Sequence, residues 1–188
     1  MSGRARMTRP LAQALALQLA LASGAAWAET SSYADSHGRS TGSLSAAEIE
    51  DLLAGRGAGM ALPAELNRYP GPRHVLDLAS DLGLSAEQAA RTRELFQRME
   101  AEAVPLGRTV VAKEAELDRL FASDQADEVR LRAVVAEIAR ARGELRFTHL
   151  KYHLAMRELL SPEQVAAYDR ARGYGSMHLQ GGHHGQHD

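Results

Sequence analysis

Residues 147–168 read FTHLKYHLAMRELLSPEQVAAY, and two features of this stretch set the rest of the reading. His149 and His153 stand one helical turn apart, in a segment where Leu145, Tyr152, Met156 and Leu159 recur at helical spacing. At Leu160-Ser161-Pro162-Glu163-Gln164 that helix ends and another starts. A Ser at this position accepts from an orphan amide of the new helix, and the Gln three residues on bonds back to the Ser amide. Pro162 takes the first helical position, where a missing N–H does no harm. Leu84-Ser85-Ala86-Glu87-Gln88 repeats the pattern earlier in the chain.

Two long amphipathic segments lie between these starts. The first carries Leu95, Met99, Leu106, Val110, Leu117 and Phe121 on one stripe, widened by Phe96, Val111 and Leu120. Pro105 falls inside it, and because the stripe keeps phase across the proline a kink is expected rather than an end. Residues 122–126 form a polar turn, and Asp124 or Asp127 caps the second segment. There the stripe is Leu131, Val134, Val135, Ile138, Leu145, Tyr152, Met156 and Leu159. Gly143 costs roughly 1 kcal/mol of helix propensity relative to Ala, which predicts close packing against another helix. Low aromatic content (5%) with abundant Ala, Leu, Glu and Arg fits this reading, and the absence of Cys excludes a disulfide frame and a thiolate metal site. The expected fold is all-α: a long antiparallel hairpin, with helices of about 30 residues or roughly 45 Å, flanked by short helices.

Outward from the hairpin, the chain divides into segments. Residues 1–28 resemble a cleaved secretory signal: Arg4, Arg6 and Arg9, an apolar run from Leu11 to Ala22, and Ala26-Trp27-Ala28 as a small-x-small cleavage site. Export to the periplasm is expected, with no membrane span after cleavage. Loss of three Arg and no acid takes the formal charge from -2 to -5, which argues against a nucleic-acid partner. Residues 29–44 are a polar linker. Residues 45–73 hold a short helix capped by Ser45 and Glu48, then a strap with Pro63, Pro70 and Pro72 whose apolar residues need something to lie against. Residues 74–173 are the main helical domain, and 174–188 a Gly/His-rich tail expected to be disordered.

Two imidazoles at i and i+4 can share a cation. Met156, three residues after His153, would add a soft ligand. The set is incomplete, and its completion is expected from His74 with Asp77, from Glu144, or from a second subunit. The bland alternative is two half-exposed histidines flanking the stripe. The tail adds His178, His183, His184 and His187 as metal-affine residues. No cofactor is obligatory; the ions that suit these donors are Zn²⁺, Ni²⁺, Co²⁺ and Cu²⁺. Leu150 follows His149, so the H-E-x-x-H of metalloproteases is absent. Repeated E-x-x-H and C-x-x-C-H are absent too, leaving non-covalent haem on Met and His as a minor alternative. No acid/base or nucleophile constellation stands out, so an enzyme is not expected. Ser85 and Ser161 are read as caps, and the mixed charges of the long helices as a solvated face.

The pair of L-S-x-E-Q starts around a helical hairpin, behind a signal peptide, resembles the Spy/CpxP periplasmic proteins with their ZraP-like and CnrX-like relatives. The stretch ALPAELNRYPGPRHVLDLASDLGLSAEQ (61–88) is similar to a subgroup of them. The likeness covers about Ser45 to Gly173. It implies a cradle-like, dimeric, non-enzymatic stress protein that binds partly unfolded clients or the periplasmic domain of a sensor kinase. In the metal-sensing relatives it implies Ni, Co or Zn held by His, Glu and Met from several helices. His149 and His153 sit on the long C-terminal helix, as the later ligands of that group do, while the earlier His pair is reduced here to His74 with Asp77.

Overall fold

The computed structural model describes residues 42–174. The expected leader, most of the linker, and His178, His183, His184 and His187 lie outside the described residues.

Among the described residues the regular structure is helical: α1 (Ala46–Leu53), α2 (Leu62–Glu65), α3 (Pro72–Asp77), α4 (Ala86–Ala122), α5 (Glu128–Leu159) and α6 (Pro162–Ala171). The starts follow local chemistry. Ser45, Ser85 and Ser161 each accept from the amide three residues on, and the side chains of Glu48, Gln88 and Gln164 accept in return from the Ser amides. Asp127 caps α5 by accepting from the Arg130 amide at 2.8 Å. Pro63 and Pro72 open the two shortest helices, where a fixed φ costs nothing. α4 runs unbroken through Pro105.

α4 and α5 pack against each other along the hairpin, and α1 and α3 pack on α4. Cross-links between the long helices run in opposite senses, from Gln88 to the Leu159 carbonyl, through Glu102 to Lys151, to Glu114 with Arg142. The pair is therefore antiparallel. No helix among the described residues is long and apolar enough to cross a membrane.

Two apolar cores result. One joins Val75, Leu82, Leu95, Met99, Tyr152, Met156, Val165 and Tyr168 at the open end of the hairpin. The other joins Leu44, Leu52, Ala103, Val110, Ala141 and Leu145. Leu44 corrects the expected linker boundary. It is 1% exposed, and beside it the Gly42 amide donates to Asp118 and the Ser43 hydroxyl to Glu114. The ordered chain therefore starts earlier than Ser45. Val135 and Phe121 belong to the expected stripes but are exposed, because α1 and α3 cover only part of the hairpin.

Gly143 is also a correction: a methyl placed there would meet nothing within 4 Å. Close packing occurs instead at Gly107, where a methyl would stand 2.0 Å from the Leu52 carbonyl oxygen. Only hydrogen at this position lets the end of α1 lie against α4.

Candidate metal-binding cavity

One cavity of about 710 Å³ is walled by the loop after α1, by α2 and α3, by α5 and by residues after α6. His74, Asp77, His149 and His153 all line it. The histidines are not half-exposed. His149 is 3% and His153 4% exposed. The reason lies in the strap: Gly57 lies against one ring and Gly71 against the other. A methyl on Gly57 would lie 3.4 Å from His149 Nδ1. A methyl on Gly71 would lie 2.8 Å from His153 Cε1 and 3.1 Å from His153 Nε2. Pro70 and Pro72, both fully buried, fix the backbone on either side of Gly71.

Tautomers follow from the hydrogen bonds. His153 Nδ1 lies 2.7 Å from the Tyr69 carbonyl oxygen. A carbonyl only accepts, so Nδ1 carries the proton and Nε2 presents a lone pair. His149 Nε2 is buried with no hydrogen-bond partner. A buried ring nitrogen without a partner is the arrangement a cation would satisfy. Burial, then the neighbouring His153, pushes His149 down to about 4. Burial also lowers His153, against an opposing pull from the Tyr69 carbonyl and Glu65. Both rings are therefore neutral at neutral pH, the form that ligates.

Glu65 is the residue that the sequence reading missed. It comes from α2, is 7% exposed, and accepts from His74 Nδ1 at 2.7 Å. The Tyr174 hydroxyl donates to its other oxygen at 2.9 Å and Arg172 Nη2 does so at 3.4 Å. Burial alone would raise this carboxyl, but the hydrogen bond and charge of His74, then Tyr174 and Arg172, hold it at about 2. Its Oε1 lies 3.1 Å from the Gly71 methyl position, the same distance as His153 Nε2. Glu65, not Asp77 or Glu144, is thus the carboxylate beside the histidines. Asp77 is exposed and pairs with Arg73 at 3.3 Å, and Glu144 faces solvent away from the cavity. The available signal was that Glu65 is the lone acid of a strap whose other charges are Arg68 and Arg73.

Met156 is a further correction. It is 0% exposed within the apolar core and does not line the cavity. Among the described residues no three His, Asp or Glu groups stand close enough to hold one ion. The donors fit a borderline cation in kind, imidazole with carboxylate, but in this structure they line one cavity without converging on a point.

A family model described as heavy-metal resistance matches residues 11–167. No curated protein and no solved structure matches the chain. The match spans most of the chain, from ahead of α1 into α6, and takes in both L-S-x-E-Q starts and both buried histidines: the chain belongs to the heavy-metal resistance family.

Proposed function

We propose that this protein is a non-enzymatic periplasmic metal-binding protein, a sensor or buffer that takes a Zn²⁺-, Ni²⁺-, Co²⁺- or Cu²⁺-class ion in the cavity under the strap. The observation that carries this is the buried, unpartnered Nε2 of His149 beside the neutral His153, in a heavy-metal resistance chain. His149 and His153 supply the imidazoles. Glu65 supplies a carboxylate, or else orients His74 from behind, since His74 donates through Nδ1 and keeps Nε2 for a ligand. The ion would supply positive charge that draws strap and hairpin together. Calorimetric titration of the purified chain with each ion tests this, repeated on His149→Ala/His153→Ala and on a truncation after Gly173. Sub-micromolar binding should survive the truncation and vanish in the double variant. Loss only in the truncation would leave the tail as the sole site.

A second reading, client holding, is favoured by Phe121 and Val129, which are 61% and 79% exposed on either side of the hairpin turn. It predicts that the chain slows aggregation of an unfolding protein at stoichiometric ratio, and that Phe121→Ser/Val129→Ser does so less well. No effect of the wild type on aggregation would remove this reading.

A further inference from the structure

The cavity under the strap is larger than an ion needs. Its volume of about 710 Å³ is that of a small-molecule pocket, whereas a cation with six waters takes roughly 200 Å³ at about 30 Å³ per water. Its protein donors are also too few at any one point, since among the described residues no three His, Asp or Glu groups stand close enough to hold one ion. His149 and His153, one turn apart on α5, supply two neutral imidazoles. A four-coordinate cation then needs two more donors. The cavity has room for a molecule that brings both.

The rest of the wall has the chemistry of an amino-acid site. Arg73 on α3 lines the cavity, and of its guanidinium nitrogens only Nε is engaged, with Asp77 at 3.3 Å. Both Nη groups keep N–H donors for a carboxylate. The guanidinium lies 5.9 Å from the centre of the Phe96 ring. Its charge therefore stands beside an apolar surface, which Phe96 and Met99 carry into the cavity. Over the whole lining, four carboxylates stand against three guanidiniums, leaving one negative charge before the histidines are counted. That balance suits a complex of charge +1, which a divalent cation makes with one amino-acid anion.

We propose that the cavity takes its metal as a 1:1 complex with a small α-amino acid bearing an apolar side chain, rather than as a bare ion. The proposal rests on the metal reading above and names the species bound. The amino acid's amine nitrogen and one carboxylate oxygen chelate the cation, and the Nε2 atoms of His149 and His153 complete four donors. The second carboxylate oxygen accepts from Arg73, and the side chain lies against Phe96 and Met99. No third protein ligand is required, which accounts for donors that line one cavity without converging. Glu65 keeps its bonds to His74, Tyr174 and Arg172. The amino acid's ammonium loses its proton to solvent when it ligates, so binding weakens as pH falls.

Equilibrium dialysis of the full chain with Zn²⁺ and radiolabelled L-leucine tests it. One leucine should be retained per zinc, with little retained when zinc is absent. By reciprocity, leucine should raise the apparent zinc affinity by about tenfold. His149→Ala/His153→Ala should lose both. Arg73→Ala, at a side chain 61% exposed, should leave the fold intact and lower leucine retention roughly 5-fold, and Arg73→Lys should recover part of it. Zinc bound while leucine stays free, or leucine stripping zinc from the chain, overturns the proposal and leaves the metal reading standing. Leucine retained equally by the double His variant also overturns it, because the complex would then sit elsewhere on the chain. So does an Arg73→Ala chain that retains leucine as the wild type does. Retention of neither zinc nor leucine removes this proposal and the metal reading together.

Discussion

The side-chain amides of Gln88 and Gln164 clasp each other: Gln88 Nε2 donates to Gln164 Oε1 at 2.8 Å, and Gln164 Nε2 donates to Gln88 Oε1 at 3.0 Å. Each Oε1 also accepts from the amide of its own Ser cap, at 3.1 and 2.9 Å. Gln88 Nε2 reaches the Leu159 carbonyl at 3.1 Å as well. The two repeated starts are therefore one tie, joining the base of α4 to the α5–α6 junction.

Removing either amide takes one donor and one acceptor partner from the other, which keeps its own Ser cap and a backbone carbonyl. Gln88→Ala or Gln164→Ala should each lower the unfolding free energy by about 2 kcal/mol, the sum of a lost cap bond and the lost amide–amide bonds. The double variant should cost about 1 kcal/mol less than the two singles added. Urea unfolding of the four chains closes the cycle. Additive costs would mean that the two caps act separately.

Gly107→Ala should destabilise by about 1–3 kcal/mol, because the added methyl would fall 2.0 Å from backbone at Leu52 rather than from a movable side-chain end. The damage should centre on α1, seen as faster amide exchange at Leu52 and Leu53. Gly143→Ala, with open space around its methyl, should be neutral or gain up to about 1 kcal/mol in dilute solution. Equal costs at both positions would contradict the packing described for α1 on α4.

What could be read from the sequence was what is local. Ser45, Ser85 and Ser161 bond to residues three positions away, so spacing alone reveals them. The long stripes were legible because buried positions recur with the helical period over many turns. Glu65 was not. It meets His74 nine residues on, through a strap of prolines and glycines that has no period to extrapolate. Glu114 with Arg142 was missed for a related reason. The sequence shows an acid and a base on mixed-charge helices, which reads as a solvated face. In the fold, Glu114 is 5% exposed, bound by Arg142 at 2.7 Å and by the Ser43 hydroxyl at 2.6 Å. Only the return of the chain before α1 buries it. The histidine pair was visible, but its burial was not, because the covering residues are glycines whose contribution is the absence of a side chain.

The His149 pKa sets a pH window for stability. Its value is about 4 in the fold against 6.5 for an exposed ring, so protonation favours the unfolded chain. The contribution is intact above pH 6.5 and is lost as pH falls towards 4, by about 3 kcal/mol in all. His153 shifts in the same direction. Glu65, held at about 2 against 4.5, stabilises the fold above pH 4.5 and loses that contribution only below it. Urea midpoints in chelator should therefore fall between pH 7 and 4.5, and His149→Phe should flatten that slope. An unchanged slope in the variant would assign the loss to other groups.

Gly71→Ala tests whether strap and histidine act as one unit. The backbone there has φ −87° and ψ 145°, which Ala adopts without strain, so any cost is steric. The added methyl would stand 2.8 Å from His153 Cε1 and 3.1 Å from Glu65 Oε1. It must push the ring off the Tyr69 carbonyl or the carboxylate off His74. Either movement displaces a donor by a few tenths of an ångström, and metal sites weaken roughly 10–100-fold when supporting contacts are lost. The expected result is a drop of that order in Zn²⁺ or Ni²⁺ affinity, with a far-UV spectrum like that of the wild type. Gly59→Ala is the steric control: it lies in the same strap and a methyl there meets nothing within 4 Å, though its φ of +79° adds backbone strain. If Gly71→Ala binds metal as tightly as the wild type, the ion does not sit between the strap and His153.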